Sequence, residues 1–216
     1  MKKIMFNDRY GLTQAVLDGR KTMTRRMIPQ GFFLLTWDVR DDTLVYENDF
    51  GDFINIKKSI YAPYKVSEVV AVMQNYKDAG YTSDLLQEGI CRRIGEHRSS
   101  DDYDIIGRKC DCFFDELAGW TNKMFVRADL MPHLIRITDV RVERLQDISD
   151  EDCLKEGIWK ANNVGLNGIT YWYPNLSNST FRTPQEAFAS LIDRISGKGT
   201  WERNPYVFAY EFELVR

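Results

Sequence analysis

Hydrophobic positions along the chain alternate between two periods, and the period predicts each element. Residues 207–215 give the clearest strand: Phe208, Tyr210, Phe212 and Leu214 share one face, and Glu211 and Glu213 take the other. Residues 134–145 alternate twice, first at Ile135 and Ile137, then at Val140 and Val142. The parity slips at Thr138-Asp139, which predicts a bulge or bend. Val66, Val69, Val70 and Val72 predict a buried strand over 65–73, and Leu44-Val45-Tyr46 and Phe53–Ile56 predict short strands around a turn-rich 48–52.

The helical period appears three times. Thr183-Pro184-Gln185-Glu186 combines an N-cap, a proline at the first helical position and a capping-box glutamate. Ala187, Phe188, Leu191, Ile192 and Ile195 then form an apolar stripe that Gly197 ends. Ser149-Asp150-Glu151-Asp152 opens a shorter helix closed by Gly157. Leu12, Ala15 and Val16 mark a third, stopped by Asp18-Gly19. Residues 78–122 are polar and irregular, and 160–180 are rich in Asn and Gly, a predicted long loop exposing Tyr171-Trp172-Tyr173.

Immediately after the first helix, Gly19-Arg20-Lys21-Thr22-Met23-Thr24-Arg25-Arg26 places four cations and two hydroxyls at an element boundary. Its Gly19, Lys21, Thr24 and Arg26 spell G-x-K-x-x-T-x-R. With the flanking Gln14-Ala15-Val16-Leu17, this resembles the signature of the ASCH family, relatives of the PUA RNA-binding domains. Two further blocks resemble bacterial and phage members: 139–149 running on to Glu156-Gly157-Ile158, and Ile195–Trp201 with Asn204-Pro205. The resemblance implies an α+β fold with a PUA-like small β-barrel and flanking helices. It covers 1–216 as a single domain, with a family-specific insertion at about 77–123. It also suggests a phage or prophage origin.

Composition narrows the function. The 216 residues carry a net charge of −3, so the chain has no general basic coat, and anion binding must come from a local cluster. A hydrophobic content of 44% supports a substantial core. No run is apolar enough to span a membrane, and the first residues lack a signal-peptide pattern; both predict a cytoplasmic protein whose four cysteines are thiols.

The resemblance implies recognition of RNA or a modified nucleoside in a cleft lined by Lys21, Thr24, Arg26 and Gln74. Lys21 and Arg26 would meet phosphate or base acceptors, and Thr24 and Gln74 would read edges. Tyr64, Tyr76, Trp172 and Trp201 are candidate stacking platforms, with Trp201 beside Asn204 the foremost.

The alternative is an amidohydrolase acting on acetylated cytidine. Family members of that kind use a Thr nucleophile, a Lys base and a Glu. Here Lys21 and Thr24 fill the first two roles if a helical turn brings them together. Gln74 stands where the resemblance places the glutamate, and it cannot shuttle a proton. A third alternative is a regulatory protein-interaction module built on the insertion and the Tyr171–Tyr173 loop. No cofactor is implied. Cys91, His97, Cys110 and Cys112 give C-x5-H-x12-C-x-C, a spacing unlike standard zinc sites, so no metal is expected; His133 reads as structural.

Overall fold

The computed structural model describes residues 1–28, 37–40, 43–47, 50–58, 62–81, 119–163, 168–175 and 180–215. Strands are β1 (Lys2–Ile4), β2 (Met23–Met27), β3 (Trp37–Arg40), β4 (Thr43–Glu47), β5 (Phe53–Asn55), β6 (Val69–Val72), β7 (Leu134–Arg144), β8 (Trp159–Asn163), β9 (Gly168–Trp172) and β10 (Tyr206–Val215). Helices are α1 (Leu12–Leu17), α2 (Asp150–Lys155), α3 (Pro184–Ser196) and α4 (Thr200–Arg203).

The fold is α+β, built on one five-stranded sheet in the order β1-β6-β7-β10-β2, with a small β3-β4-β5 sheet and a β8-β9 hairpin. The order begins on β1 and ends on β2, and no pairing joins those two strands. This corrects the expected PUA-like small β-barrel: closure requires the first and last strands to share a ladder, and this sheet is open. The physical reason is visible at β2. The Thr22 carbonyl accepts from the Phe212 amide, so the next carbonyl, Met23, points away from β10. A lysine ammonium takes it rather than another strand: Lys21 Nζ donates to Met23 O at 2.7 Å.

The chain divides into two compact units, one of Met1–Met5 with Ala71–Pro132, the other of Phe6–Val70 with His133–Arg216. In the first unit, the Met73 amide donates to the Ile4 carbonyl at 2.9 Å, and Ile4, Ala71, Val72 and Met73 are buried. Tyr76 meets Tyr81 edge-on at 5.7 Å, and its hydroxyl accepts from the Arg127 amide at 3.1 Å. Gly119, at φ +100, lies under the Tyr76 ring, where an added Cβ would come within 2.7 Å of Cε2.

In the second unit, β10 pairs antiparallel with both β7 and β2. The register with β7 shifts between Glu211 and Phe212, passing from Asp139 to Ile137, so Thr138 is the extra residue of the bulge that the parity slip predicts. Thr183 caps α3 with its full capping box, and Ala187, Phe188, Leu191 and Ile192 are buried as the stripe requires.

Two element predictions need correction. The strand expected over 65–73 is confined to Val69–Val72, because Ser67 takes φ 68 in a turn that leaves Val66 exposed. The segment expected as a loop over 160–180 contains the β8-β9 hairpin, and Tyr173 is fully buried against Tyr10. Among the described residues, no helix is long and apolar enough to cross a membrane.

Candidate functional site

The basic motif is fixed first by the end of α1. The Ala15 carbonyl accepts from both the Arg20 and Lys21 amides, at 2.9 and 2.8 Å. Gly19 makes the turn at φ 72. The Thr22 amide then donates to the Lys155 carbonyl at 3.0 Å, tying the entry of β2 to the end of α2. The helical turn that would bring Lys21 and Thr24 together does not form, because Met23–Met27 is a strand.

Lys21 points into the interior and is only 2% exposed. Its Nζ donates to Met23 O at 2.7 Å, Glu156 O at 2.7 Å and Glu156 Oε2 at 2.6 Å. An ammonium has three donors and a neutral amine only two, so this geometry fits the charged lysine. The site also lies at the C-terminal end of α2, where the helix dipole favours a cation. Burial pulls the Lys21 pKa below its ordinary value, and the Glu156 carboxylate opposes that pull. Gly157, at φ +101, lets the chain turn there without a side chain against Leu12 and Lys21.

Strand alternation sends Met23 and Arg25 to the same side of the sheet, toward α2. Arg25 is buried and meets three carboxylates: Glu143 at 2.6 Å, Asp152 at 2.9 Å and Glu156 at 3.2 Å. Arg141, two strands over across Ala209 of β10, also reaches Asp152 at 2.9 Å. Arg141 also pairs with Asp139 at 3.7 Å, so among the described residues three cations face four carboxylates in one network. Burial works against the Arg25 charge, but Glu156 and Glu143 outweigh it and raise the pKa. Burial alone would raise Asp152; hydrogen bonds from Arg25 and Arg141 bring it below the ordinary carboxylate value. Asp152 and Glu156 are missing from the sequence-based site. The signal for them was the acidic first turn of α2 and the Glu156-Gly157-Ile158 block, quoted there only for its resemblance.

The other side of the same strand is different. Thr24 and Arg26 lie opposite Tyr210 and Phe208 of β10, with Val140 and Val142 beyond. Thr24 is buried, and no hydrogen bond joins its hydroxyl to Lys21, whose three protons are taken. Arg26 lies 5.7 Å from the Phe6 ring centroid, and the Lys21 ammonium lies 5.8 Å from the same ring. Half-buried Tyr64 meets Tyr210 edge-on at 5.3 Å. Tyr210 is 0% exposed; its hydroxyl proton has no acceptor among the described residues, and the Tyr64 backbone amide approaches its oxygen. Burial pushes both phenols up; the Arg26 charge acts in the opposite direction on Tyr64, and the Tyr64 backbone amide and the Arg26 charge do so on Tyr210. Thr24, Arg26, Tyr64 and Tyr210 therefore form a polar, aromatic patch on one sheet face.

The other sequence candidates have partners of their own. Trp201 packs edge-on against Phe188 at 6.2 Å, and its amide donates to Asp193 at 2.8 Å. The Gly199 amide donates to the same carboxylate at 3.0 Å, so this glycine-rich turn already holds an anion of its own. Asn204 accepts from the Gln146 amide at 2.9 Å. Both residues brace α4 on the end of β7. Gln74 belongs to the first unit, where its side chain donates to the Asp78 carbonyl at 3.4 Å. Trp172 stacks on Trp159, and Tyr76 is buried. Cys91, His97, Cys110 and Cys112 lie outside the described residues, as does most of the 77–123 insertion; among the described residues no group of three or more His, Cys, Asp or Glu is placed to hold a metal ion. Comparison of the chain with protein-family models, with curated proteins and with solved structures finds no match.

Proposed function

We propose that this chain recognises a nucleobase-bearing ligand, RNA or a modified nucleoside, at the sheet face that carries Thr24, Arg26, Tyr64 and Tyr210. The observation that carries this reading is the Tyr210 hydroxyl, fully buried beside a guanidinium with no acceptor for its proton, its oxygen approached only by the Tyr64 backbone amide. An unmet buried donor is costly, and a ligand acceptor that displaces the Tyr64 ring packed edge-on against Tyr210 would satisfy it. Tyr64 supplies a half-buried ring for stacking, and Arg26 supplies the cation. In this reading Lys21 supports the site from behind, since its charge is matched internally by Glu156. The motif's resemblance to the ASCH family agrees in ligand class. Titration calorimetry with cytidine, acetylcytidine and a short single-stranded RNA tests it. Binding that Arg26→Ala and Tyr64→Ala each weaken about tenfold supports the reading; binding indifferent to both substitutions sinks it.

A second reading, hydrolysis of the acetyl amide of acetylcytidine, gains one specific support. The carboxylate that Gln74 fails to provide is present as Glu156 Oε2, 2.6 Å from Lys21 Nζ. Transfer of the lysine proton to that carboxylate would leave the neutral amine a base must be, and burial favours such a transfer. Thr24 would then have to reach Lys21. Release of cytidine by the native chain, abolished in Thr24→Ala and Glu156→Gln, is the result this reading requires.

A further inference from the structure

A second feature of the basic motif is unused by the site above. Arg20 lies with its guanidinium carbon 4.1 Å from the centroid of the Trp159 ring. On the β8-β9 hairpin, Trp159 pairs with Trp172, and their rings stack at 4.9 Å with an interplanar angle of 26°. Trp159 thus meets both the Arg20 guanidinium and the Trp172 indole. Arg20 is held there by its own backbone, whose amide donates to the Ala15 carbonyl.

Arg20 is accessible. Its side chain is 35% exposed, and among the described residues it pairs with Asp18 at 3.1 Å, itself 41% exposed. A surface pair of this kind exchanges readily with another anion. The same hairpin face carries two polar atoms, Trp159 Nε1 and Thr170 Oγ1, that are buried without a hydrogen-bond partner. Thr170 lies on that face because it pairs with Ala161, two residues along from Trp159.

We infer that Arg20 is a stacking site for a base of a single-stranded nucleic acid, with the two tryptophans as its backing. This rests on the nucleobase reading above and extends it: the ligand is a strand that reaches a second contact beyond the Tyr64–Tyr210 patch. Guanidinium planes accept unpaired bases on their faces, and an indole beneath holds the plane flat. The cation at the same point suits the adjoining phosphate.

The test is binding of a fluorescent single-stranded octaribonucleotide to the full chain, measured by anisotropy over a range of salt. Loss of one base stack corresponds to a weakening of about tenfold or more. Arg20→Ala and Arg20→Lys are both expected to weaken binding by that factor. Lysine keeps the charge and loses the plane, so its salt dependence should match the native chain. Native affinity in Arg20→Lys overturns the stacking site, as does native affinity in Arg20→Ala. A native chain that binds neither strand nor nucleoside overturns this inference together with the nucleobase reading. Strand binding that Arg26→Ala and Tyr64→Ala weaken, but neither Arg20 variant does, overturns this inference alone.

Discussion

The ammonium of Lys21 sits 2.6 Å from the Glu156 carboxylate, and both side chains are almost completely buried. The contact joins residues 135 apart in sequence. It holds the end of α2 against the start of β2, and it converts the most basic stretch of the chain into part of the interior. Lys21 is therefore expected to matter for stability, whatever its part in binding.

Breaking this pair from one side leaves a buried charge without its counterion, which typically costs about 3–5 kcal/mol. Glu156→Gln should destabilise by that order, because it weakens Lys21 and Arg25 together. Lys21→Met should cost less, since it fills the space with apolar volume and leaves Glu156 its Arg25 partner. Combining the two should cost less than their sum, the signature of direct coupling. Urea unfolding curves of the three variants measure this. Near-native midpoints for Glu156→Gln would mean the pair contributes nothing to the fold.

The same network sets an acid limit. Asp152 has its pKa lowered from the ordinary 3.8 by Arg25 and Arg141, against the opposing effect of burial. A carboxylate depressed in the folded state binds fewer protons there than in the unfolded chain, so stability rises with pH across that interval. Its contribution is fully present above 3.8 and is lost as pH falls through the folded value. Melting temperatures recorded from pH 6 to 2 should fall steeply at the acid end. Asp152→Asn should start from a lower plateau and fall less steeply. A variant curve parallel to the native one would remove Asp152 from the acid transition.

What the sequence revealed and what it concealed have separate physical causes. The α3 capping box and the Thr138 bulge were readable because each is written within a few neighbouring residues. Arg25 was not, since its burial depends on carboxylates from β7 and from the start and end of α2. A pattern of single residues places a cation outside; only the tertiary arrangement brings three anions to it. Glu156 escaped for the same reason, since its partners Lys21 and Arg25 lie more than a hundred residues away in sequence. The open sheet was hidden too. Strand patterns predict faces, and whether an edge closes on a strand or on a lysine is not encoded in the alternation.

Cys153 follows from its burial. It is 0% exposed on α2, and burial pushes its thiol up to about 12, so at neutral pH it is a thiol rather than a thiolate. Thiolate is the reactive form. Peptide mapping after treatment with iodoacetamide at pH 8 should find Cys153 unmodified in the native chain and modified in urea. Rapid native labelling would mean that α2 opens locally.

Tyr210 separates the roles of the two sheet faces. Its hydroxyl proton is buried without an acceptor, and only the Tyr64 amide approaches its oxygen, so removing the hydroxyl should cost the fold little or even stabilise it. Tyr210→Phe keeps the ring that packs edge-on with Tyr64. Its melting temperature should equal or slightly exceed the native value. Ligand affinity should nevertheless fall, by roughly 3- to 10-fold for one hydrogen bond worth about 0.5–1.5 kcal/mol. Thermal melts with calorimetric titration of the same preparation check both halves. Lower stability with unchanged affinity would make the hydroxyl a structural donor and move the ligand away from this face. Unchanged stability with weaker binding would tie recognition to the side of β2 that Thr24 and Arg26 share, with Lys21 and Glu156 as its foundation.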